Sequence, residues 1–324
     1  MRLSLLTAGA AALSLTYVGH AAAVPYTYST FAVPGAHDGT YAQGINDSGE
    51  IAGYSLNASI GYSGFVQSGG TTTTIQDPNA VAGSTFVYGI SNAGAVVGTY
   101  GDGSGAHAFV ESGGTYTTLS ALNGYFQLQV QGINNAGQVV GSYFQSQVGR
   151  IGFEYSNGAV TSFTVPGSGA YPDVNPYGIN DAGTIVGYYT EDLGNTDLIR
   201  GFIDTNGSFT FVDVPNATAT VLTGIDDAGD LVGYYGVGSA TYAFTDVGGV
   251  ITTLNVPNAA PNSTLAFGIN DLGDVTGHTT DTTQSGGSLG FEAVPATAVS
   301  EPATASLVVA GLAALSLGRR RLRA

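Results

Sequence analysis

Apolar residues recur along this chain in short alternating runs, each ended by small polar residues that favour turns. Alternation at period two marks a strand with one buried face, so the pattern reads as strands joined by tight connections. The runs come in sets of four. The first of a set ends in Gly-Ile and is followed by an Asn/Asp-x-x-Gly cluster, which fits a type I turn closed by a left-handed Gly. The second is clearest at Gly183 to Tyr189, Gly-Thr-Ile-Val-Gly-Tyr-Tyr. The third carries Phe65, Phe109, Phe153, Phe202, Phe244 or Phe291, and Gly69-Gly70, Gly113-Gly114, Asn157-Gly158, Asn206-Gly207 or Gly248-Gly249 follows as a two-residue hairpin turn. The fourth alternates Thr with apolar residues and often ends in Val-Pro, as at Val214-Pro215 and Val256-Pro257.

This set is an internal repeat. Gly-Ile-Asn/Ser/Asp-Asn/Asp-x-Gly begins at Gly44, Gly89, Gly132, Gly178, Gly224 and Gly268, with starts 45, 43, 46, 46 and 44 residues apart. A period in that range with strand-type sequence predicts a propeller or related β-array. The last set lacks a fourth strand, whereas Tyr26 to Pro34 is a fourth strand with none before it. The expectation is therefore an all-β, six-bladed β-propeller of four-stranded repeats, closed by the N-terminal strand, with helix only at the chain's two ends. An open β-solenoid is the alternative and would not need the displaced strand. A Gly also recurs inside the second strand, at Gly53, Gly98, Gly141, Gly187, Gly233 and Gly277. A strand Gly marks close backbone approach, which we assign here to neighbouring blades packing near the axis.

Composition narrows the chemistry. Gly is 50 of 324 residues, Cys is absent, and hydrophobic residues are 43%, which is enough for a core. Disulfides and thiolate metal sites are excluded. Between Val24 and Ser300 the only cations are Arg150 and Arg200, against a large excess of Asp and Glu. Nucleic-acid binding needs clustered Lys and Arg and is excluded as a partner class.

Residues 1–23 read as a signal peptide: Arg2, an apolar run from Leu3 to Val18, then Ala21-Ala22-Ala23. Residues 24–298 form the repeat domain. Residues 299–324 contain Glu301-Pro302, an apolar stretch from Ala303 to Gly318, and Arg319, Arg320, Arg321 and Arg323. As a helix that stretch would be about 24 Å long, against about 30 Å for a bilayer core, so it suits a transient anchor with a basic stop. This tail resembles the PEP-CTERM sorting signal of Gram-negative bacteria that make exopolysaccharide, with Ser300 where that family has its first Pro. The resemblance implies handling by an exosortase-type processing enzyme, with Glu301, Pro302, Arg319, Arg320 and Arg321 as the signal, and a location at the cell envelope, outer surface or extracellular matrix. The repeats resemble HAF-repeat extracellular proteins over roughly Val24 to Val294, and His107-Ala108-Phe109 is the name-giving tripeptide. That resemblance implies location and fold but little chemistry.

Four-stranded repeats put their tight turns on one face and their variable loops on the other, where binding residues usually sit. From the motif's final Gly to the third-strand Phe the spacing is longest in the fourth and sixth sets, 19 and 18 residues. The longer loops carry Glu191, Asp192, Asn195 and Asp197, with Arg200 just after, and Asp281. These are the candidate ligand-binding residues, suited to glycan hydroxyls or a cation. Tyr54, Tyr100, Tyr143, Tyr188, Tyr189, Tyr234 and Tyr235 end second strands beside that face, where they can stack on sugars or serve the sheet. The turn after Gly-Ile lacks a consistent oxygen ligand at its fifth position, which leaves only Asp230 and Asp274 suited to calcium. No cofactor is expected otherwise. His37, His107 and His278 lie in different repeats beside no nucleophile motif, so no catalytic residue is assigned. The function these features point to is a non-enzymatic surface or matrix protein that binds exopolysaccharide or an envelope partner through its variable face. The alternative is a polysaccharide-cleaving lyase or hydrolase, since carboxylates can meet across blades.

Overall fold

The computed structural model describes residues 24–36, 38–194, 197–280 and 287–296. The signal peptide, the tail with Glu301, Pro302 and the Arg cluster, His37, Asn195 and Asp281 lie outside them. β1 (Tyr26–Phe31) comes first. The first repeat is β2 (Gly39–Ile45), β3 (Ile51–Asn57), β4 (Gly61–Ser68) and β5 (Thr71–Ile75). The second is β6 (Thr85–Ile90), β7 (Val96–Gly101), β8 (Ala106–Ser112) and β9 (Thr115–Thr118). β10 (Phe126–Ile133), β11 (Val139–Gln145), β12 (Gly149–Ser156) and β13 (Ala159–Phe163) follow. Next come β14 (Val174–Ile179), β15 (Ile185–Glu191), β16 (Leu198–Thr205) and β17 (Ser208–Val212). β18 (Ala219–Ile225), β19 (Leu231–Val237), β20 (Ala240–Val247) and β21 (Val250–Thr253) make the fifth repeat, and β22 (Leu265–Ile269), β23 (Val275–Thr280) and β24 (Ser288–Pro295) the last.

Each repeat is an antiparallel meander, and β1 pairs antiparallel with β24 from Tyr26↔Pro295 to Phe31↔Gly290, taking the fourth-strand place. Single parallel bridges join a third strand to the start of the next repeat, at the residue before its first strand for Tyr62↔Ser84 and Arg150↔Asp173 and within it for Ile199↔Ala219, and join Ser288 to Gly39 of the first repeat. One helical element departs from the strand-only expectation. Ser120–Leu122 forms a 3₁₀ turn between β9 and β10. That connection has no Val-Pro, and Leu119 and Leu122 instead reach into the apolar cluster around Phe153.

The turns follow the sequence. Gly49, Gly94, Gly137, Gly183, Gly229 and Gly273 all take positive φ, between 71° and 88°. Both residues of each two-residue hairpin also have positive φ, as at Asn157 (51°) and Gly158 (84°), which identifies the primed turn that matches strand twist. The six third-strand Phe side chains are at most 1% exposed. They pack in clusters that straddle neighbouring repeats. Val186 of β15 joins Leu222 and Phe244, and Val232 of β19 joins Ala266 and Phe291. The core is therefore a series of seams, so no repeat can bury its apolar face alone.

The second-strand Gly has a different cause from the one the sequence suggested. The register of every first strand slips just before Gly-Ile, between Ala42 and Gly44 and at the equivalent places in β6, β10, β14, β18 and β22. This is a β-bulge. It pushes a carbonyl of the same repeat over the second strand: a Cβ on Gly53 would lie 2.1 Å from the Tyr41 oxygen, and on Gly233 2.0 Å from that of Val221. Close approach between repeats falls instead to the Gly of Gly-Ile. Gly44 faces Gly89, Gly132 faces Gly178, Gly178 faces Gly224, and Gly268 faces Gly44.

The motif's polar pair clasps one repeat to the next. Asn46 Nδ2 donates to the Ser91 carbonyl (3.2 Å), Asn134 to Asn180, Asn180 to Asp226, and Asn270 to Asn46 (each 3.0 Å). One position on, the Asp47 amide donates to Asn92 Oδ1, that of Asp181 to Asp227, and that of Asp271 back to Asp47.

Candidate functional site

The variable face carries a groove at the junction of the third and fourth repeats. Two clefts, of about 450 and 530 Å³, share Tyr171 and Asp173 as their common wall. Gln127, Phe144, Gln147 and Arg150 line the first, and Ser168, Thr190, Asp192 and Asp197 the second. Tyr171 is 73% exposed, and Phe126, edge-on to Phe144 at 6.1 Å, is 64% exposed. Tyr171 thus stands in water on the shared cleft wall, and Phe126 beside the first cleft, rather than in the core.

The polar groups of this groove are tightly arranged. Arg150 donates to Gln127 Oε1 (3.1 Å), Gln129 Oε1 (3.3 Å) and Ser142 Oγ (3.2 Å), and its Nε lies 3.7 Å from Asp173. Asp173 also accepts from Asn175 Nδ2 (2.9 Å) and Thr190 Oγ1 (3.2 Å). Asp192 accepts the Gly194 amide (2.9 Å). The only described cation near the groove is thus neutralised, and its carboxylates keep free lone pairs.

The sequence-selected residues divide. Asp192 and Asp197 lie in the groove, whereas Glu191 and Arg200 line a separate cleft of about 400 Å³ with Asp213. There Arg200 Nε reaches both Asp213 oxygens (3.1 Å), Nη1 donates to Glu191 (3.2 Å), and the guanidinium lies over Phe211 at 5.3 Å. Arg200 is fully occupied in holding β16 to its neighbours. Asp230 accepts the Gly248 amide and Asp274 the Asn270 side chain, and among the described residues no group of three or more His, Asp or Glu is placed to hold a metal ion. His107 is pinned between Asn123 Oδ1 (2.9 Å) and Ser104 Oγ (3.1 Å).

The strand-end tyrosines also divide, by the two-residue alternation. Tyr100, Tyr143 and Tyr235 turn to the fourth strand and bond Thr118, Ser162 and Thr253 at 3.0–3.1 Å. Tyr54, Tyr188 and Tyr234 turn toward the repeats' common axis. There they lie against Tyr88, Tyr177 and Phe267, three of the six side chains that the bulges expel; with Gln43, Gln131 and Thr223 these line an axial cavity above the six Ile of Gly-Ile. Sequence reasoning missed this funnel because the expelled residue is the variable one before Gly-Ile. Its only signal would have been the bulge. Burial raises the hydroxyl pKa of Tyr188 to about 12, and that of Tyr54, Tyr88, Tyr177 and Tyr234 also rises, first through burial and, except at Tyr188 and Tyr88, next through neighbouring tyrosines.

No protein-family model and no curated protein matches the chain. Solved structures do. AofleA from Arthrobotrys oligospora is similar at a TM-score of 0.50 and 14% identity, over 80% of this chain and 84% of that one. A protein of Agrobacterium tumefaciens described as a TolB gives 0.50 at 13% identity, over 67% and 81%. The fold is of the propeller type. Aleuria aurantia lectin in complex with Fucα1-6GlcNAc is similar at 0.48 and 14% identity, over 82% and 97%. At these identities the likeness concerns the fold alone.

Proposed function

We propose that this protein is an exported, closed six-bladed propeller that binds polysaccharide through the groove at Tyr171. The observation that carries the binding reading is the exposed Tyr171 between two clefts furnished with Arg150, Asp173, Gln127 and Asp192. A sugar ring offers an apolar face to stack and hydroxyls to bond, and this wall offers both counterparts. Closure is supported by β1 standing in the last repeat and by the Asn270 and Asp271 clasps to Asn46 and Asp47. Export and retention rest on the signal-peptide pattern of residues 1–23 and the PEP-CTERM-like tail, which we read as an exosortase substrate holding the protein at the envelope or in the matrix.

The test is size-exclusion chromatography of the mature protein with the exopolysaccharide of the producing cell. Co-elution at unchanged polymer size, lost in Tyr171→Ala, is the expected result. A falling polymer size would make the protein a lyase or hydrolase, and independent elution would remove the glycan reading. Deleting residues 299–324 should move the protein into the medium.

A further inference from the structure

We propose that the axial funnel, an open cavity of about 80 Å³, is a second binding site, one whose mouth admits the edge of an uncharged sugar ring. The funnel is built by the fold's most regular defect. Each bulge turns one side chain inward, so Tyr88, Tyr177 and Phe267 line the cavity with Gln43, Gln131 and Thr223. Tyr54, Tyr188 and Tyr234 of the second strands stand just outside this lining, against Tyr88, Tyr177 and Phe267. The rings form three pairs: Tyr54 lies 5.9 Å from Tyr88, Tyr177 6.0 Å from Tyr188, and Tyr234 6.3 Å from Phe267. The six Ile line this cavity and the one below it, so an apolar ring separates the funnel from a second cavity that carries Asp47, Asp181, Asp226, Asp227 and Asp271.

Two features define what the funnel accepts. The hydroxyls of Tyr54, Tyr177, Tyr188 and Tyr234 bond no other described residue, and none of them is among the buried polar atoms sealed from solvent. Hydroxyls that water still reaches can exchange that water for a ligand's hydroxyls. No carboxylate, Lys or Arg lines the cavity, Asp173 and Arg150 of the groove act on Tyr188 and Tyr177 only from outside the lining, and phenols are protonated at neutral pH. Placing a charged ligand against such a wall would cost desolvation without a counter-ion. A neutral ring with hydroxyls on its edge and an apolar face meets both requirements. The site is separate from the groove in its side chains, though it shares the groove's ligand class.

The experiment is calorimetric titration of the mature protein with maltohexaose, cellohexaose and laminarihexaose, and with glucosamine hexamer and oligogalacturonate as charged probes. Tyr177→Phe and Tyr234→Phe remove only oxygens that bond no described residue, so Tm should hold while affinity for the neutral hexasaccharide that binds falls about three- to tenfold in each. Wild-type affinity in both variants would overturn the proposal, as would failure of all neutral probes or tighter binding of a charged one. Tyr171→Ala separates the two sites. Loss there alone leaves the groove standing and removes the funnel, and loss in the Phe variants alone does the reverse.

Discussion

Acid should loosen the seam between the last repeat and the first, and His278 is the reason. Its ring lies parallel to Phe267 (15° between planes, centroids 5.1 Å apart) and edge-on to Tyr41 of β2 at 5.1 Å, and its Nδ1 has no hydrogen-bond partner. Burial pulls its pKa down to about 4, only partly opposed by the Ala42 backbone. The folded value lies below the ordinary value of about 6.5, so the folded state binds this proton less tightly than the unfolded one. The neutral ring's stability is therefore fully present above pH 6.5 and is lost as pH falls toward 4. At about 1.4 kcal/mol per pH unit the loss is about 2 kcal/mol by pH 5 and about 3 kcal/mol at its limit. Other groups act in the opposite sense. Burial raises the carboxyl pKa values of Asp204, Asp226, Asp227, Asp246 and Glu292, so each of these gains stability on protonation. A difference measurement isolates the histidine. Melting of wild type and His278→Phe is followed between pH 7.5 and 5, and the carboxyl contributions cancel in the gap between them. The gap should shift toward the variant by about 5 °C at pH 5, taking a few degrees per kcal/mol for a domain of this size. A gap constant across that range would refute the reasoning.

Two further predictions concern the frame. Gly233→Ala should cost about 3 kcal/mol in urea unfolding, because its Cβ would lie 2.0 Å from the Val221 carbonyl of its own repeat, and a cost below about 1 kcal/mol would dismiss the bulge explanation. Removing residues 24–34 strips Tyr26 and Tyr28 from the cluster around Phe291 and Phe31 and Val33 from that around Phe65, so Tm should fall by about 10 °C or more and the freed β24 edge should promote association; unchanged melting would contradict the role given to β1.

Much of the architecture is written locally and can be read from the chain. The repeat period, both turn types, the buried Phe of each third strand and the displaced strand Tyr26–Phe31 follow from residues a few positions apart, where backbone preference and period-two alternation act directly. The sites are another matter, because they arise where distant parts of the chain pack together. An inserted residue in each first strand reverses which side chains face the axis, and nothing in the alternation marks which residue is expelled. That single shift gave Gly53 and its equivalents their reason and placed Tyr88, Tyr177 and Phe267 in the funnel. Asn and Asp of the motif were legible as turn formers, yet their bonds to the next repeat span about one full period, and Asn270 reaches Asn46 across nearly the whole domain. The groove shows the same limit. Asp192 and Asp197 were found by loop length, but Tyr171, Arg150 and Asp173 come from other connections and meet them only when the third and fourth repeats pack side by side.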